Sequence, residues 1–125
     1  MVLVDSSIWV GYFKDGLHHT LEELLMEDLV VTNDIILSEL IPSATLKGET
    51  DLIRGLESLH NQELDIDWIG LRKLQILNLK HGINKVGIPD LVIIQHALQH
   101  NFSLWTTDKH FYLMQKHIHI NLYNS

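Results

Sequence analysis

Val2-Leu3-Val4-Asp5-Ser6-Ser7 is the stretch from which the fold of this chain can be read. Three apolar β-formers running straight into an acid and two small hydroxyl residues predict a buried strand that stops at a site. Asp5 then stands at the carboxyl end of that strand, the edge where open α/β sheets bind ligands. A carboxylate in that position raises the question of which other acids converge on it.

Working outward, Ser7 to Phe13 has room for a short helix capped by Ser6 or Ser7, and Gly16 breaks it ahead of an amphipathic run from Leu17 to Met26. Leu29-Val30-Val31-Thr32 predicts a second strand. Asn33 or Asp34 caps a helix to about Leu46, in which Pro42 is expected to cause a kink because proline removes a backbone hydrogen bond. Glu49 to His60 reads as another helix, and Asp67 to His81 as a longer one ending at Gly82. Gly87-Ile88-Pro89-Asp90 opens a helix that runs to about His100. Ser103 to Thr106 predicts a strand, Asp108 to Lys116 a last helix, and Ile118 to Leu122 a closing strand. Strands alternating with helices argue an α/β fold, a three-layer α/β/α sandwich around a mainly parallel central sheet, with residues 1–125 as one domain.

Composition narrows the field. Hydrophobic residues at 46% with two prolines and seven glycines exclude disorder and low complexity. The absence of cysteine excludes disulfides and thiolate zinc sites and fits a reducing compartment. No run approaches a membrane span, and an acid at position 5 spoils a secretory segment, so a cytoplasmic protein without membrane association is expected. A formal charge of −7 is awkward for a nucleic-acid binder, which implies either a basic partner or a cation that mediates the contact. Arg72, Lys73, Lys80 and Lys85 fall in one segment and read either as a solvated helix face or as a weak patch for steering a nucleic-acid backbone.

At about 100° of rotation per residue, Asp90 points from the middle of the stripe formed by Ile93, Ala97, Ile94 and Leu98. Glu39 falls between Ile35, Ile36, Leu40 and Leu46, so it too is expected to face inward. Asp108 follows Leu104-Trp105-Thr106-Thr107 at the end of a strand, as Asp5 does. Two strand-end acids and two helical acids can thus meet at one sheet edge. Two carboxylates about 4 Å apart repel by roughly 4 kcal/mol at an effective dielectric near 20. Protonation or a divalent cation has to compensate, and oxygen-only ligands suit Mg²⁺ or Mn²⁺. Taken singly, Asp5 and Asp108 also read as helix caps and Asp90 as a favourable first-turn charge.

His96 and His100 have the i, i+4 spacing of a helical metal pair, but on the wheel both face away from the core, with no acid between them in the H-E-x-x-H manner. The helix over Asp67 to His81 carries apolar residues at almost every angle and is expected to be covered all round, which suggests a homodimer seam. Phosphoryl-accepting domains are a poor match, since Asp5 lacks the second acid two positions on that a haloacid-type phosphatase needs.

The four acidic segments resemble those of PIN-domain nucleases. Asp5-Ser6-Ser7-Ile8-Trp9 is similar to the family's opening motif, Glu39 in Leu37-Ser38-Glu39-Leu40 to its helical glutamate, Pro89-Asp90 to its third acid, and Thr106-Thr107-Asp108-Lys109-His110-Phe111 to its T-x-D-x-x-F segment. Within that superfamily the length resembles the VapC toxins of type II toxin-antitoxin pairs. The resemblance implies a Mg²⁺- or Mn²⁺-dependent endoribonuclease that inhibits translation or growth, with Asp5, Glu39, Asp90 and Asp108 as catalytic and metal-holding residues. It also implies an RNA substrate, a homodimer, and a small antitoxin whose basic tail blocks the site. Ser6, Ser7 and Thr106 would support the carboxylates or phosphate, as against ordinary capping and turn roles. Where the family usually has small residues after the third acid, this chain has Ile94-Gln95. A PIN-like module that binds RNA or protein without cleaving, and a housekeeping RNA-processing nuclease, are the alternative readings.

Overall fold

The computed structural model describes residues 1–16 and 18–124. The expected start of the second helix at Leu17 lies outside them. The strands are β1 (Val2–Val4), β2 (Val30–Thr32), β3 (His60–Asn61) and β4 (Ser103–Trp105). The helices are α1 (Ser6–Asp15), α2 (His19–Met26), α3 (Asp34–Leu46), α4 (Thr50–Glu57), α5 (Trp68–Lys80), α6 (Ile88–His100) and α7 (Lys109–Met114). The strands form one parallel sheet in the order β3-β2-β1-β4, which bears out the α/β reading.

Every residue of β1 is buried, as an apolar run without alternation requires of a strand covered on both faces. Leu3 is central, paired with Val31 on one side and Leu104 on the other. The chain moves from β1 toward β2 on one side and reaches β4 on the other, so the order reverses beside β1. That reversal opens a crevice at the carboxyl ends of β1 and β4, where Asp5 and Asp108 follow their strands. A backbone hydrogen bond of 2.9 Å from Asp5 N to Trp105 O ties the two ends together.

Several expectations need correction. His60, expected to end a helix, instead opens the short edge strand β3 with Asn61, and both side chains are exposed, so neither periodicity nor burial marked the strand. Ile118, Ile120 and Leu122 are buried at period two as a strand would have them, yet the segment pairs with β4 only through the Leu104–Leu122 bridge. Neither Ser6 nor Ser7 caps α1; Asp5 occupies the cap position and its carboxylate makes no cap bond. Gly16 does close α1, at φ 81, a left-handed conformation that glycine adopts without strain.

Helix α6 packs against α3, α5 and β4, and Leu91 through Ala97 are all buried. His96 is therefore inside, 1% exposed, not on the outer face as the wheel suggested; His100 is exposed as expected. Helix α5 shows the reverse: Trp68, Ile69, Ile76 and Leu79 are 53–62% exposed, so its apolar surface is covered on one side only.

Gln95 explains how α6 tolerates a large residue where the family motif has a small one. Its side chain grips the backbone of one residue at the α5 entry, accepting from Asp67 N at 2.9 Å and donating to Asp67 O at 3.0 Å. Gly70 makes room, since a Cβ there would stand 3.0 Å from Gln95 Nε2. Gln95→Leu leaves Asp67 N unpaired, while Asp67 O keeps its bond from Leu71 N, and is expected to destabilise the fold by about 1–3 kcal/mol. A lower urea midpoint with an unchanged slope is the signature; an unchanged midpoint contradicts it.

Candidate active site

Asp5 is 5% exposed and is held by hydroxyls rather than by a cation. Ser7 Oγ donates to its Oδ2 at 2.9 Å and Thr106 Oγ1 at 2.8 Å. Each hydroxyl in turn accepts from the backbone beyond β4: Thr107 N reaches Ser7 Oγ at 3.1 Å and Asp108 N reaches Thr106 Oγ1 at 3.0 Å. Two N–H groups thus polarise two hydroxyls onto one carboxylate oxygen, while Oδ1 receives no hydrogen bond among the described residues. This connection orients Asp5 and stitches the end of β1 to the turn carrying Asp108. Ser6, by contrast, makes no side-chain hydrogen bond among the described residues, so the structure separates it from Ser7 and Thr106.

Asp108 is the N-cap of α7: its Oδ1 accepts from His110 N at 2.9 Å and from His110 Nδ1 at 3.0 Å. The capping role is therefore real for Asp108 and absent for Asp5. Because Oδ1 only accepts, Nδ1 carries the ring proton. His110 was not singled out by sequence reasoning, although its place inside the Thr106-to-Phe111 segment was the available signal.

Asp90 sits half-buried in the first turn of α6. Burial raises its pKa most, the charges of Asp108 and Asp5 raise it further, and His110 opposes them. Glu39 is not inward-facing: it is exposed at the rim, because the buried line of α3 runs through Ile36, Leu40 and Ala44. Partial desolvation raises its pKa, and so do Asp5 and Asp90. The charges of Asp5 and Asp90 thus reach Glu39, and those of Asp5 and Asp108 reach Asp90. Among the described residues no three His, Asp or Glu side chains already stand at metal-ligating spacing.

The four predicted cationic contacts are placed differently. Arg72, Lys73 and Lys80 are exposed on α5, and Lys85 on its exit loop. Since Gln75 bonds Val86 O and Gln95 bonds Asp67, α5 runs antiparallel to α6. Lys85 is consequently at the Asp90 end, and Arg72 and Lys73 lie farther along the helix. Among the described residues, no helix is long and apolar enough to cross a membrane.

A parallel sheet with acids gathered at its switch point defines the class, and the sequence agrees. A PIN domain family profile matches residues 2–116, and the chain belongs to the PIN domain family. PIN domains are generally nucleases and typically use divalent metals. Three solved structures share the fold. A chain of Rickettsia felis VapBC2 bound to a promoter DNA fragment is 18% identical with TM-score 0.79, the match covering 100% of this chain and 99% of that one. A chain of VapBC-1 from nontypeable Haemophilus influenzae is 19% identical with TM-score 0.70, covering 99% and 98%. DNA-bound VapBC from Salmonella typhimurium gives 19% identity and TM-score 0.67 over 89% of each chain. No curated protein matches the chain in sequence.

Proposed function

We propose that this chain is a divalent-metal-dependent endoribonuclease and the toxin of a toxin-antitoxin pair. The observation that carries the reading is the convergence of carboxylate charge at the carboxyl edge of β1 and β4, where Asp5 and Asp108 act on Asp90, and Asp5 and Asp90 act on Glu39. All four offer oxygen donors, which suits Mg²⁺ or Mn²⁺. Their repulsion is what a dication relieves, so the donor set fits the ion. Such an ion supplies Lewis acidity to the scissile phosphate and activates an attacking water. Asp5, Glu39, Asp90 and Asp108 would hold it, with Asp5 oriented by Ser7 and Thr106 and Asp108 by His110.

The partners follow from the same charges and from the company its structural relatives keep. Each of those relatives is part of a VapBC complex, which supports a small antitoxin here, and a basic antitoxin tail suits an acidic site in a chain of charge −7. The exposed row Trp68, Ile69, Ile76 and Leu79 on α5 is the face assigned to a homodimer. Arg72, Lys73, Lys80 and Lys85 are assigned a weaker role in steering RNA.

Incubating the purified chain with single-stranded RNA under Mn²⁺, Mg²⁺ or chelator tests the activity. Cleavage confined to the metal arms is expected. Intact RNA in every arm leaves a binding module and contradicts the nuclease.

Stability gives a readout independent of turnover. An acid whose pKa is raised by folding holds its proton more tightly in the folded chain. Metal-free stability therefore falls as pH climbs from the ordinary carboxylate range near about 4 through the raised values of Asp90 and Glu39, and stays low above them. Mn²⁺ at neutral pH is expected to reverse that loss, by about 2.7 kcal/mol at a hundred times its Kd. A melting temperature indifferent to Mn²⁺ at pH 7 argues against the site.

A further inference from the structure

Beside Glu39, between α1 and α3, lies a cleft of about 300 Å³, at the lower end of volumes that hold small ligands. Lys14 from the last turn of α1 and Lys47 at the C-cap of α3 both line it, together with Ser43, Phe13 and Glu49. The chain has only nine lysines and arginines against 16 acids, so two cations on one small cleft stand out from the general charge. Both lysines are exposed, and among the described residues neither is in an ion pair, although Glu39 and Glu49 line the same space. Phe13 is half-buried, packed on Trp9 at 5.8 Å between ring centroids, and contributes aromatic surface to the cleft. Glu39 lines the cleft and also belongs to the acid group, which makes the cleft continuous with the candidate active site.

We infer that this cleft is a subsite for a nucleotide flanking the one hydrolysed, with Lys14 and Lys47 on its phosphate, Ser43 donating to a phosphate oxygen, and Phe13 stacking on its base. The inference rests on the nuclease reading and adds to it a path for the strand. Phosphate contacts set register without reading sequence, and aromatic stacking accepts any base. The acid cluster repels RNA until it is neutralised, so affinity has to come from a cationic surface next to it rather than from the cluster itself.

The test uses Asp90→Asn, expected to bind without cleaving, and a labelled single-stranded RNA followed by fluorescence anisotropy. In that background Lys14→Gln and Lys47→Gln are each expected to weaken binding about fivefold at 0.1 M salt and to lower the salt slope by about 0.7, the single-strand value for one phosphate contact. Lys116→Gln, which removes the same charge elsewhere, leaves both unchanged. A neutral methylphosphonate walked along the RNA weakens binding at one linkage, and there the two lysine variants lose nothing more. Equal losses for all three lysines, or no linkage at which the lysine effects vanish, overturn the subsite. So does a loss of affinity for an acidic peptide with RNA affinity intact, which makes the cleft a protein site. Intact RNA in the metal assay together with the linkage-specific pattern removes the nuclease reading and keeps the subsite; cleavage with silent lysines does the opposite.

Discussion

Asp90→Asn is expected to lower metal-dependent RNA cleavage by at least about a hundredfold, the scale of losing one preorganised transition-state contact, while the metal-free chain becomes more stable. The two effects share one cause. Asp90 is half-buried, with Asp108 and Asp5 both raising its pKa, so its charge at neutral pH opposes folding until a cation offsets it. Asn keeps the shape and removes the charge. A role in structure alone predicts the reverse, since Asp90 in the first turn of α6 is favourably placed for the helix dipole. Melting temperature and cleavage measured on the same preparation decide between them: activity lost and stability gained support the site, and cleavage retained removes Asp90 from it. The Mn²⁺-induced rise in melting temperature is expected to shrink in this variant as well.

How much of this could be read from the sequence depended on whether a residue's surroundings lay close to it along the chain. Asp5 and Asp108 were legible because a strand followed by an acid is a local pattern, and the parallel sheet does the rest. Their supports were half legible. Ser7 and Thr106 were flagged, but that both serve one oxygen of Asp5 depends on a register between β1 and β4 that joins residues about a hundred positions apart. Helical wheels failed where layering decided burial. The run Leu91-Val92-Ile93-Ile94 holds consecutive apolar residues that no one-sided helix needs, and it was the signal that α6 is enclosed, His96 included. Helix α5 carries an equally broad apolar pattern and yet leaves Trp68, Ile69, Ile76 and Leu79 in solvent. Pattern alone cannot tell an inner helix from an outer one, because the covering elements lie elsewhere in the chain. Glu39 erred for a smaller reason: it sits one position, about 100°, from the buried Leu40, at the border of the stripe rather than within it.

Asn33→Ala is expected to destabilise the fold by about 1.5–5 kcal/mol, a large part of the 5–15 kcal/mol typical of a domain, because it removes a cap and orphans a buried ring at once. Asn33 is fully buried and its Oδ1 accepts from Ile36 N at 2.9 Å, capping α3. That bond fixes the amide, so Nδ2 faces His96 Nδ1 at 3.0 Å and donates to it. The ring must therefore be neutral, with its proton on Nε2, which meets no acceptor in good hydrogen-bond geometry among the described residues and has only the backbone of Gln62 and Glu63 close by. Loss of the cap costs about 0.5–2 kcal/mol and an unsatisfied buried acceptor about 1–3. Burial, and secondarily His100, lowers the His96 pKa. Its contribution to stability is then complete above the unfolded value near about 6.5 and declines as pH falls toward the folded one. Asn33→Asp keeps the cap and exchanges the donor for an acceptor, which asks the ring for a proton at Nδ1. The pH dependence arising from this pair should change sign: the Asp variant gains stability relative to wild type as pH drops from 7 to 5.5. Urea midpoints across that range measure it, and parallel curves for the two proteins would show that the Asn33–His96 contact does not govern the ring.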